Sequence, residues 1–213
     1  MTTTSVSHKP TSIGRKAHWR RITAAGARWL HIYLSMVSFA LVFFFAATGL
    51  TLNHPDWFLS EQKTEVLHGR ADKAMLHTKD ADGADKLGLV EMLRSHDHAQ
   101  GAVSDFRVDD SQISISFRAP GYTADAFIDR DTGKYDLTIV RDGFVAVIND
   151  LHKGRDTGKT WSVVIDVSAV LLVLVSLTGL VLMWFVYKRR RSGFLLAALG
   201  TIAFIVLWRF FVP

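Results

Sequence analysis

The sequence predicts an α-helical membrane protein: three transmembrane helices, with one small α+β domain, a helix against an antiparallel sheet, set between the first two. Three observations lead there. The apolar residues, 49% of the 213, are gathered into three runs rather than spread along the chain, and a bilayer-crossing helix takes ~20 such residues. Charge separates as sharply. Residues 55–160 hold 19 of the 20 acids against 14 of the 25 Lys and Arg, whereas the segment before the first run and the turn between the second and third are basic without one acid. Within the acidic insert, Ile113-Ser114-Ile115-Ser116-Phe117 alternates strictly, the pattern of a strand with one buried face.

In chain order, residues 1–14 are Thr/Ser-rich and read as disordered. Residues 15–28 are basic and suit an anionic membrane surface, so 1–28 is expected to be a cytoplasmic basic segment. The first transmembrane helix covers 29–53, with His31 as its one ionisable group. His31, Ser35 and Ser38 fall on one helical face, and Ala46, Ala47 and Gly49 are small enough for close helix approach. The run and its basic leader are both too long for an ordinary signal peptide. The insert, 54–160, opens at Pro55, a helix stop, and Trp57 and Phe58 suit an interfacial anchor.

Residues 60–86 are polar and carry weak signals. A short helix is expected over Leu87–Ser95, then strands at Ser104–Val108, Ile113–Phe117, Ala124–Asp129 and Tyr135–Val140. Asp109-Asp110-Ser111 and Arg130-Asp131-Thr132-Gly133-Lys134 are the turns. The second transmembrane helix covers 161–187, with Asp166 its one acid. Lys188, Arg189, Arg190 and Arg191 make the basic turn 188–193, and the third helix, 194–213, carries only Arg209. Basic flanks stay in the cytoplasm, which puts 54–160 outside. A bacterial inner membrane with a periplasmic domain is the expected setting. The net charge of +5 follows from this topology and does not point to nucleic acid. With no cysteine, disulfides, iron–sulfur clusters and thiol catalysis are excluded.

The residues able to carry chemistry are histidines at the ends of the apolar runs. His54 follows the first and His152 precedes the second, so both are expected at one membrane surface. Two facing imidazoles there would ligate the iron of a haem, b-type because cysteine is absent. The competing reading makes them helix-end histidines with structural partners. His31 lies 23 residues before His54, ~34 Å away along a helix, and belongs to the other surface. A second ligand beside it would come from His18, Met183 or a second subunit. Asp166 and Arg209 sit at similar expected depth. They read either as a helix–helix ion pair or as groups orienting His152 and holding a haem propionate. His96-Asp97-His98 is better read as a solvated loop than as a metal site. Thr48-Gly49-Leu50 recurs as Thr178-Gly179-Leu180, a hint of a duplicated element.

Taken together, Arg28-Trp29-Leu30-His31, Thr48-Gly49-Leu50, Asn53-His54-Pro55, Asp150-Leu151-His152-Lys153-Gly154-Arg155, Thr178-Gly179-Leu180 and Trp184 stand in an order and spacing that resemble the PepSY-associated transmembrane helix proteins. The stretch from Phe127 to Tyr135 looks like the sheet of a PepSY domain. The resemblance covers about residues 28–190. It implies a PepSY-like insert. Larger relatives imply membrane reductases of ferric siderophore uptake, with haem held by helix-end histidines, and PepSY domains are also linked to inhibition. This chain has one PepSY-like unit and three helices, so a complete electron path in one chain is not implied. Two functions are expected to compete. One is an inner-membrane haem b electron-transfer protein, a subunit of a membrane oxidoreductase that supports ferric iron reduction. The other is a membrane-tethered PepSY module that binds a partner protein without a cofactor. Partner membrane subunits or a homo-oligomer are expected beside the lipid bilayer.

Overall fold

The fold is that of a computed structural model that describes residues 12–57, 62–78 and 83–213. Its elements are α1 (Ser12–Asn53), a 3₁₀ turn (Pro55–Trp57), β1 (Lys63–Arg70), α2 (Lys73–Leu76), α3 (Lys86–His96), β2 (Ala102–Val108), β3 (Gln112–Ala119), β4 (Tyr122–Asp129), β5 (Lys134–Arg141), α4 (Phe144–Lys153), α5 (Gly158–Phe185) and α6 (Arg190–Phe211). Among the described residues three helices are long and apolar enough to cross a membrane: Ala17–Asn53 of α1, α5 and α6. Their large apolar side chains, such as Phe39, Val170 and Phe204, point outward, as a lipid-facing surface requires.

Two compact units divide the chain, one formed by residues 1–42 and 167–213, the other by 43–166. In the first, the buried polar groups Ser38 and Ser168 are small residues on α1 and α5, where small side chains let helices close up. Helix α1 begins at Ser12, inside the stretch expected to be disordered, and the basic segment 15–28 is helical throughout; residues 1–11 lie outside the described residues. The expected 188–193 turn shrinks because Arg190 and Arg191 already belong to α6.

The second unit holds a five-stranded antiparallel sheet in the order β1-β5-β4-β3-β2. Period-two alternation decides its core. Ile113, Ile115 and Phe117 of β3 are buried, and the register sets them against Ile128, Ala126 and Ala124 of β4. Those in turn meet Tyr135, Leu137 and Ile139 of β5. Leu76 and the α3 residues Leu89, Val90 and Leu93 complete the same buried cluster. Each such aliphatic or aromatic side chain, fully buried, contributes about 1.5–3 kcal/mol. Asp85 caps α3 by accepting from Gly88 N–H at 2.9 Å. The expected hairpin turn is present, with Gly133 in the left-handed region at φ 73. Asp129 closes it by accepting from the Thr132 amide and hydroxyl, both at 2.7 Å, and these bonds hold its carboxyl below the usual carboxylate value. Tyr135 donates its phenol hydrogen to Asp97 at 2.6 Å. Burial, then that carboxylate, push the phenol's pKa well above normal.

Candidate functional site

His152 is fixed from three directions. It sits in the last turn of α4, which ends at Gly154 in the left-handed conformation with φ 69. Two residues earlier, Asp150 is 5% exposed and accepts from the Gly121 amide at 2.9 Å and from Arg155 at 2.6 Å. The β3–β4 turn is thereby tied to the helix that carries the histidine. One residue earlier, the Leu151 carbonyl accepts from the Trp161 indole at 2.7 Å. The imidazole then lies edge-on to Phe45, ring centres 5.2 Å apart, with Nδ1 2.6 Å from the Thr48 hydroxyl. Its Cε1 lies 3.7 Å from where a Cβ on Gly49 would stand, so the ring rests against bare helix backbone. Thr51 donates to the Asn149 side chain at 2.6 Å, a second bond between α1 and α4.

The same device recurs in the other unit. His31 of α1 places Nδ1 2.8 Å from the Thr178 hydroxyl of α5, and its Cε1 lies 3.4 Å from a Cβ on Gly179. Each repeated Thr-Gly-Leu thus receives a histidine from another helix.

Hydrogen counting sets the tautomer in both. A threonine hydroxyl has one hydrogen. Thr48 Oγ1 lies 2.6 Å from the Phe44 carbonyl and Thr178 Oγ1 2.8 Å from the Leu174 carbonyl. Two oxygens that close repel unless a hydrogen lies between them, and a carbonyl has none to give. The hydroxyl hydrogen is therefore spent on its own helix, and the hydroxyl can only accept from imidazole. Nδ1 carries the hydrogen, which leaves Nε2 of neutral His31 and of neutral His152 with a free lone pair. Among the described residues no hydrogen bond engages either Nε2. An imidazole pinned through Nδ1–H to an oxygen, with Nε2 bare, is the arrangement of a metal-ligating histidine.

The other expected residues are placed differently. His54 stacks on Trp57, centroids 3.9 Å apart and planes 7° from parallel, with Nε2 3.4 Å from Asn53 Nδ2. It follows Thr48 by six residues; at ~100° per residue a helix would turn it ~120° off the face that meets His152. The two imidazoles expected to face each other thus have separate partners. Asp166 and Arg209 are each exposed on their helices and belong to different units. His18 is exposed on α1, and Met183 packs against Gly193. Phe58 lies outside the described residues, while Trp57 is 64% exposed. Among the described residues no group of three His, Asp or Glu could hold a metal ion. His96 instead contacts Asp97 at 3.1 Å. Thr48 and Thr178 carry the site, and the sequence signal for them was the repeated triplet.

Among the described residues, three apolar helices and, between the first two in sequence, a helix-backed five-stranded sheet define an integral membrane protein with a PepSY-like domain. Residues 25–213 match the PepSY_TM-like family, and the chain belongs to it. Neither the curated proteins nor the solved structures contain a match.

Proposed function

We propose that this protein is a haem b-binding electron-transfer protein of the bacterial inner membrane, with His31 and His152 each an iron ligand at a separate site. The observation behind the reading is the pair of imidazoles pinned through Nδ1, each offering an unshared Nε2 lone pair beside a glycine. The donor set fits an iron porphyrin and, without cysteine, only a non-covalently held one. A bound haem would supply one-electron redox chemistry. The chain's own part is to fix ring orientation through Thr48 and Thr178, with Phe45 set edge-on against the His152 ring. Support for periplasmic ferric chelate reduction, as part of a larger oxidoreductase, extends the same reading. The test is a reduced-minus-oxidised absorption spectrum of detergent-purified protein expressed with haem supplied. A Soret band that shifts on dithionite reduction is expected; a folded, featureless sample overturns the proposal.

A second reading, a tethered PepSY module that binds a partner protein, draws on a different observation. The exposed side of the sheet has an open hollow of about 560 Å³ lined by Phe127, Asp129, Lys134 and Asp136, with Phe127 48% exposed. It predicts that a partner captured by the full chain is lost on Phe127→Ser.

A further inference from the structure

The unit formed by residues 1–42 and 167–213 contains no aspartate or glutamate, yet it carries Arg20, Arg21, Arg28, Lys188, Arg189, Arg190 and Arg191 among its cations. None of these seven is in an ion pair among the described residues. Their neutralising anion has to come from outside the unit.

Three of them, Arg20, Arg21 and Arg190, flank an apolar opening. A groove of about 330 Å³ runs between α1, α5 and α6, lined by Thr23, Leu180, Trp184, Phe185 and Phe194. Phe185 also lines the adjoining hollow of about 280 Å³ that contains Arg20 and Arg21. On the other side, Arg190 stands 4.5 Å over the Trp184 ring, so a guanidinium forms part of the groove's rim. Helix α6 starts here with no capping side chain and no acid in its first turn, so its free amides add to the positive end. An occupant must be apolar along one stretch and anionic at one end.

We propose that this groove binds one anionic phospholipid, with an acyl chain along Trp184 and Phe194 and the phosphate among Arg20, Arg21, Arg190 and Arg191. The site is independent of haem. A basic mouth on an apolar slot between membrane helices is what an anionic headgroup and its tail require, and each nearby cation favours an anionic surface over a neutral one.

Native mass spectrometry of the full chain in mild detergent, with phosphatidylglycerol and phosphatidylcholine at equal concentration, tests it. Wild type should retain one phosphatidylglycerol about tenfold over phosphatidylcholine. R20Q/R21Q/R190Q/R191Q should bring the two lipids within about twofold, and Trp184→Ala should weaken retention of both. Arg209→Gln, a cation of the same unit outside the groove, should change nothing. Equal retention of the two lipids by wild type overturns the proposal. So does a preference that survives the fourfold variant, or one that falls as far in Arg209→Gln.

Discussion

Thr48→Val removes one hydroxyl, keeps the side-chain shape and leaves no cavity. In the folded protein that hydroxyl accepts from His152 Nδ1 at 2.6 Å, in a site where Thr48 is 3% exposed. Two outcomes are open to the variant. The imidazole stays and leaves Nδ1 without its partner, or it swings toward water and gives up the Phe45 and Gly49 contacts. A buried group left unpaired costs about 1–3 kcal/mol, a factor of ~5–150 in the population of the docked ring. The single-tautomer state of His152 should therefore collapse into a mixture. Nitrogen-15 histidine spectra of haem-free protein at mildly alkaline pH report this. Wild type should show its one-bond hydrogen on Nδ1, Thr48→Ser should keep it there, and Thr48→Val should lose it. An Nε2–H tautomer in wild type, or a Thr48→Val spectrum identical to wild type, refutes the hydrogen count that underlies the site.

Three further outcomes are expected. Asp150→Ala frees the buried Gly121 amide and unties the β3–β4 turn from α4, so thermal unfolding in detergent should show a loss of about 1–3 kcal/mol. Tyr135→Phe deprives Asp97, whose side chain is 7% exposed, of its phenol donor; the loss should be about 1.5–3 kcal/mol by the same assay. Asp129 has a depressed pKa, so its stabilisation of the hairpin is fully present above its ordinary value of 3.8 and fades as pH falls through the lower folded value. Amide chemical shifts of Thr132 followed into acid should show that transition, and Asp129→Asn should abolish it.

The strands with strict alternation were legible because one face is buried: Ile113, Ile115 and Phe117 leave no other register. Strand β1 was not, since it is a polar edge strand with only Val66 and Leu67 as large apolar residues, and it pairs with β5 some seventy residues on. The apolar spans declared themselves by length. Their pairing did not, because helix–helix register in lipid rests on a few small and polar residues rather than on a hydrophobic pattern. Hence the sequence marks His54 and His152 by position alone, whereas the partners Thr48 and Thr178 are set by helix–helix register. The repeated Thr-Gly-Leu was visible all along. It acquires meaning once α1 and α4 meet around Thr48 and α1 and α5 around Thr178, each bringing a histidine.

The proposed iron ligands are His31 and His152, and not His54. Haem-to-protein ratio by pyridine haemochrome decides between them, in wild type and in the single variants His31→Ala, His152→Ala and His54→Ala. Bound haem in wild type, reduced in the first two variants and unchanged in the third, is the predicted result. Haem lost from His54→Ala but retained in His31→Ala and His152→Ala would contradict it.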